Sequence, residues 1–321
     1  MSLFPWSLGS PPPDAAIEIA ADHVSVAVVV PRGQALAVQG CAVVPLPAGA
    51  VVASLTSANI LNPPVVVAAL RTALERIGAR PRRVALVIPD VAAKVALVRF
   101  DTVPPRREDL DQLMRWQVRK ASPFPIEEAS VTFTPGVRSA DGGAEFVVVT
   151  ARQAVVAEYE AVCAEVKAYA GLVDLATLSV VNFFLGAPGV PTGDWLVVHL
   201  RPDYTTIVVM RGGDVIFFRN RPEGDEESIA DLVHQTAMYY QDRLSGQGFT
   251  RAFLGGSGRG PRAAETACRS LEERLGVTVD PIDPTRAATL SDRIAASPET
   301  MDALTPLVGL MLRTLREPVG A

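Results

Sequence analysis

A run of apolar residues long enough to cross a bilayer, about 20, is missing from this 321-residue sequence. The apolar stretch at 26–31 is short and reads as a buried strand. Histidine and cysteine are scarce, three of each. Cys41, Cys163 and Cys268 are odd in number and far apart. They form neither a metal spacing nor a disulfide framework, and a reducing compartment fits. Cys163 falls on an apolar helix side and reads as core. His23, His199 and His234 are equally scattered and read as surface or interface side chains, not metal ligands. There is no basic excess: the formal net charge is -5 and 20% of residues are charged. Nucleic-acid binding needs a basic face that neutralises phosphates, so that class is excluded. The arginines at 80, 82, 83, 106 and 107 sit beside a turn or a helix start and read as solvated surface. The first residues lack the basic region and long apolar core of a signal peptide. Phe4, Trp6, Leu8 and the run Pro11-Pro12-Pro13 read as a disordered tail over 1–13.

What is present is core. Hydrophobic residues make up 49% of the chain, enough for two packed domains at this length. Residues 16–30 and 35–44 read as strands about a turn at Arg32-Gly33. Pro63-Pro64 opens a helix with Val66, Leu70, Leu74 and Ile77 at helical spacing, ended by Gly78. Residues 84–88 read as a strand buried on both faces. An amphipathic helix over 106–120 carries Leu110, Leu113, Met114 and Val118 on one side. A strand pair follows at 130–137 and 145–150 about Asp141-Gly142-Gly143, then a long helix over 152–170 ended by Gly171. A second module starts near Asp194, with strands at 195–200, 205–210 and 215–219. A helix over 225–244 begins with the acidic run Asp225-Glu226-Glu227, which suits a helix dipole. A strand at 251–254 runs into Gly255-Gly256-Ser257-Gly258. Beyond a short strand at 277–279 the remainder reads as helical.

The two modules repeat. The string IEIAADHVSVAVV from Ile17 aligns without a gap to VHLRPDYTTIVV from Val198. Asp22 and Asp203 fall at matching places, each in a tight turn between apolar strands, and each module then shows an Arg-Gly turn and a third strand. Such a duplicated α/β domain is the plan of the actin–hexokinase–Hsp70 superfamily. The fold expected is therefore α/β: duplicated actin-like ATPase (ribonuclease H-like) domains with a small inserted α+β subdomain. The boundaries read as 14–90 for the first domain, 91–170 for the insert, 171–193 for the return and linker, and 194–321 for the second domain.

The string MRWQVRKASPFPIEEA from Met114, the Phe217-Phe218-Arg219 strand, the Gly-rich turn after Leu254 and the small-residue helix at 307–313 together resemble the PilM family of type IV pilus assembly, a relative of FtsA. The resemblance implies a nucleotide site at Asp22, Asp203, Gly255, Gly256, Ser257 and Gly258, for ATP or ADP with Mg. Its phosphate turns depart from the family pattern. Where the family has Asp-Ile-Gly followed by a Lys, this chain has Glu18, Ile19 and Ala20, with Ser25 in place of the Lys. Its second turn has His199, Leu200 and Arg201. Ala20 adds a Cβ where backbone must approach an anion, and His199 is no hard oxygen ligand for Mg²⁺. Arg201 could still clamp a phosphate. The expected role is thus a scaffold and not an enzyme, with residual ATP binding left open.

The resemblance further implies a cytoplasmic protein, peripheral to the inner membrane, that binds the N-terminal tail of a PilN-like membrane protein. Through that tail it would couple a PilN–PilO complex to the assembly motor, with self-association left open. The insert would hold the tail through Trp116, Phe124, Pro125 and Ile126, aromatic anchors beside a proline-rich turn; subdomain core is the competing role for Trp116 and Phe124. Two alternatives stay open: an actin-like ATPase, and a GspL-like component of type II secretion, which usually continues into a membrane helix.

Overall fold

The computed structural model describes residues 12–32, 35–139, 142–223, 228–256 and 261–316. The first domain opens with β1 (Ala15–Ile19), β2 (His23–Arg32) and β3 (Ala35–Pro45), an antiparallel meander. All five residues of β1 are buried, because it runs between β2 and the parallel β4 (Arg83–Ile88). Helix α1 (Pro63–Ile77) crosses between them. Prolines fill its first turn, where no N–H is needed, and Gly78 closes it at φ +64°.

The second domain repeats this order. Strands β9 (Asp194–Leu200), β10 (Tyr204–Arg211) and β11 (Asp214–Pro222) form the meander. Helix α5 (Ile229–Arg243) then leads to β12 (Arg251–Gly255), parallel to β9. The duplication extends to detail. Glu18 lies opposite Ser25 in the first hairpin, and the aligned His199 lies opposite Thr206 in the second. Both turns close with a 2.9 Å bond, from Ala20 N–H to the His23 carbonyl and from Arg201 N–H to the Tyr204 carbonyl. Both meanders bulge at matching places, between Val28 and Val29 and between Val209 and Met210.

Between the repeats, β5 (Ala93–Phe100), α2 (Arg107–Arg119), β6 (Ala129–Arg138) and β7 (Ala144–Arg152) form the inserted subdomain, a three-stranded sheet in the order β5-β7-β6 with a helix. Its core is built on Val98, Met114, Val118, Phe146 and Val148.

The long helix expected over 152–170 is shorter. Helix α3 (Gln153–Glu165) stops where Lys167 takes φ +62°. The Lys167 and Ala168 N–H groups there bond back to Ala164 and Cys163. A left-handed lysine does the work usually signalled by glycine, so the stop is silent in the sequence. Gly171 instead lies inside β8 (Tyr169–Leu175), which pairs in parallel with β4. The linker expected at 171–193 holds α4 (Ala176–Gly186), whose residues are buried nearly all round. A helix wrapped in protein shows no amphipathic period.

Helix α5 begins at Ile229, with the Ser228 hydroxyl accepting the Asp231 N–H at 3.2 Å; Asp225, Glu226 and Glu227 lie outside the described residues. The helical remainder is interrupted. After α6 (Pro261–Leu275) come β13 (Val279–Pro281) and β14 (Ala288–Leu290), and β14 joins the first sheet beside β3. The chain closes with α7 (Pro298–Arg316), packed on α4 and the first sheet. A core of Phe183, Phe184, Trp195, Phe253, Leu307 and Met311 fills the space between the domains. Cys163 is buried in the first-domain core.

Candidate functional site

The two hairpin turns converge from opposite domains. Glu18 stands on β1 and Arg201 at the end of β9. Their side chains meet in an ion pair, at 2% and 6% exposure. A buried guanidinium needs a carboxylate or phosphate to be tolerable; here the Glu18 carboxylate meets it, while Arg201 Nε is buried with no hydrogen-bond partner. The Ser25 hydroxyl donates to the same carboxylate at 3.4 Å, and His23 Nε2 approaches it at 3.5 Å. The other His23 ring nitrogen lies 2.7 Å from the exposed Asp22 carboxylate. Burial lowers the acidity of Asp203, and the nearby Asp22 charge adds to this while Arg201 opposes it. Arg201, read from sequence as a phosphate clamp, is engaged by Glu18 instead.

Beside the pair lies a buried polar chain that joins both domains. Asp90 follows β4 and is fully withdrawn from water. It accepts the Thr177 N–H at 2.9 Å, the Thr177 hydroxyl, and the Thr206 hydroxyl at 2.6 Å. The Thr177 oxygen also lies 2.7 Å from His199 Nδ1, and Asn220 donates to Thr206 at 2.8 Å. With the Thr177 proton given to Asp90, His199 must donate through Nδ1–H. Burial pushes Asp90 up to about 6, against its three hydrogen bonds, and pushes His199 down to about 4. His199 is thus an interior histidine at the domain junction.

Gly255 ends β12 and Gly256 follows it, and both press on the second hairpin. A Cβ on Gly256, which has φ +73°, would collide with the Leu200 carbonyl, and one on Gly255 would meet Ile282 at 2.6 Å. The Gly256 N–H donates to Asp302 of α7 at 3.3 Å. Ser257 and Gly258 lie outside the described residues.

An actin-like cleft implies nucleotide phosphates and Mg²⁺ between the hairpins. The residues present do not fit them. Arg201, the basic side chain on the second turn, is paired with Glu18, and Gly256 packs so closely on Leu200 and His199 that no Cβ could stand there. A hollow of about 90 Å³ between the inserted sheet, α4 and the β10–β11 turn has no basic side chain on its described wall, so phosphate has no anchor there either.

The remaining sequence candidates lie apart, on the insert. Phe124 and Ile126 are half-buried and Pro125 is exposed. Ile126 packs on the subdomain core. The Ser122 hydroxyl donates to the Phe124 carbonyl at 2.7 Å and fixes the turn. Trp116 is 59% exposed, which rules out subdomain core for its ring.

Sequence reasoning missed Arg152, which fastens this turn to the first domain. Its guanidinium bonds Glu128 at 3.0 and 2.9 Å and the Thr56 carbonyl at 2.8 Å. It also missed Asp90 and Thr177. A carboxylate just beyond a strand with five buried apolar residues was the available signal for Asp90.

A family model described as type IV pilus assembly protein PilM matches residues 16–243. A PilM–PilN type IV pilus biogenesis complex aligns with a TM-score of 0.78 at 17% identity, covering 96% of this chain and 99% of that one. A Bacteroides thetaiotaomicron protein with an actin-like ATPase fold and unknown function aligns at 0.50 and 12% identity, covering 91% and 95%. The cytoplasmic domain of EpsL, an inner-membrane component of the Vibrio cholerae type II secretion system, aligns at 0.49 and 9% identity, covering 93% and 94%, too weakly to bear on function. No curated protein matches by sequence.

Proposed function

The chain belongs to the PilM family of type IV pilus assembly proteins, and from that premise we propose that it is a platform for the cytoplasmic tail of a PilN-like membrane protein, needing no nucleotide. The observation that carries the tail reading is the Arg152 fork, which sets the Phe124–Glu128 turn on the seam between the insert and the first domain. That seam is firm on its other side. Glu158 of α3 accepts the N–H groups of Asn59 and Ile60 at 2.7 and 2.9 Å, holding the facing loop. A half-buried phenylalanine and isoleucine about an exposed proline offer an extended tail an apolar anchor point on a rigid frame. Phe124, Pro125 and Ile126 are the residues assigned to it.

The Glu18–Arg201 pair supports the non-enzymatic half of the reading, because it neutralises the cation that a phosphate would need. Coupling onward to a PilN–PilO complex and its motor, and a place on the cytoplasmic face of the inner membrane, belong to the same proposal. Among the described residues no helix is long and apolar enough to cross a membrane.

The test is a calorimetric titration of the full chain with the tail peptide of its PilN-like partner, with and without Mg·ATP. Equal binding in both conditions, weakened about tenfold or more by Phe124→Ala, is the expected result, since an anchor of this kind contributes about 2 kcal/mol. Absence of binding would defeat the platform reading, and binding only with Mg·ATP would defeat its nucleotide independence.

A further inference from the structure

The C-terminal end of α2 presents a combination that neither the fold nor the tail site explains. The helix buries Met114 and Val118. Trp116 lies two residues from each, about 200° around the helix, so its indole points away from the subdomain core. One turn further on, Arg119 and Lys120 are both exposed, as is Arg115, the residue before the tryptophan. The Lys120 ammonium sits 5.4 Å from the indole centroid. Lys94 of β5 adds a fourth cation at this end, its ammonium donating to the Ala121 carbonyl at 2.6 Å. Of the acids of α2, Glu108 and Asp109 stand in its first turn at the opposite end, while Asp111 lies one turn before Arg115 on the same side of the helix. Of the carboxylates just beyond, Glu128 is engaged by Arg152.

An outward indole ringed by cations has a defined complement. Indole is apolar in body and polar at its N–H, and it settles at the headgroup level of a bilayer. Lysine and arginine near an anionic leaflet are attracted to its phosphates. A nucleic acid is a poorer complement, because the patch is one helix end on a chain of net charge -5.

We propose that this end of α2 is a membrane-contact face for anionic phospholipid, with Trp116 at headgroup level and Arg115, Arg119 and Lys120 against the phosphates. The face adjoins the Phe124 turn in sequence. A platform that receives a short tail emerging from a bilayer gains from standing on that bilayer, but the contact itself requires no tail.

Flotation of the full chain alone, with vesicles of phosphatidylglycerol and phosphatidylcholine or of phosphatidylcholine only, tests the proposal. The chain should float with the anionic vesicles, stay behind with the neutral ones, and be released by high salt. The triple variant Arg115→Glu, Arg119→Glu, Lys120→Glu should lower binding by about tenfold or more, and Trp116→Ala severalfold. These side chains are exposed, so unchanged melting of the variants should show intact folding. Trp6→Ala should bind like the parent. Failure to float with anionic vesicles would overturn the proposal. Binding that survives the triple variant would also do so, and would place the lipid contact elsewhere. A triple variant that loses a protein partner while the parent ignores vesicles would assign the face to that protein instead.

Discussion

The Arg201 guanidinium and the Glu18 carboxylate close on one another from corresponding hairpins of two repeated domains, both shut away from water. Against the Asp-Ile-Gly pattern that the sequence resembles, Glu18 stands at the Asp of the first turn and Arg201 at the Gly of the second. The two departures are therefore complementary: the charge introduced on one turn is answered by the charge on the other. The domains are held together across the cleft by this pair and by the polar chain from Asp90 to Thr206.

Removing one partner leaves an uncompensated buried charge. Arg201→Met or Glu18→Gln alone should each cost about 3–5 kcal/mol of stability. The double replacement should cost far less than the sum, because no charge is then stranded. Urea unfolding of the full chain measures all three. Additive losses would show that the two groups do not act as a pair.

Much of this architecture is legible in the sequence, and the reason is local. The hairpins, the Asp22–Asp203 correspondence and α1 follow from strand alternation, helical spacing and glycine stops. What was not legible depends on distant partners or on unsignalled backbone. Glu18 and Arg201 each read as a damaged motif, and only the fold shows that they meet. Asp90 and Thr206 are bonded across 116 positions. Lys167 ends α3 without a glycine, and α4 hides because it is buried on every side.

Acidity should expose the Asp90–His199 chain. Folded Asp90 keeps its proton up to about pH 6, whereas the unfolded group loses it near 3.8, so its stabilising contribution falls as pH rises through that window. His199 is neutral when folded down to about pH 4, whereas the unfolded ring protonates near 6.5, so its contribution rises with pH there. The two slopes oppose each other in the parent chain. Asp90→Asn should make stability climb with pH between about 4 and 6.5, by up to about 1.4 kcal/mol per unit relative to the parent. His199→Gln should tilt it the other way. Denaturation midpoints across that range give the slopes, and parallel profiles for all three proteins would contradict the assignment.

Close packing of α4 on α7 depends on Gly309. A Cβ there would collide with the Ser179 carbonyl and come within 2.9 Å of the Phe183 nitrogen. Gly309→Ala should cost about 1–3 kcal/mol or more by forcing the helices apart. Gly213→Ala, whose Cβ would meet only Leu185 at 3.9 Å, should stay within about 1 kcal/mol. Thermal melts of the two variants make the comparison, and equal midpoints would contradict it.

The central claim is that the cleft is closed by the protein's own ion pair and holds no nucleotide. A calorimetric titration of the full chain with Mg·ATP tests it most directly. The account predicts only heats of dilution to millimolar nucleotide, and an unmoved melting midpoint. Micromolar binding would contradict it, and it would also appear as about 4 kcal/mol of stabilisation at a thousandfold excess over Kd.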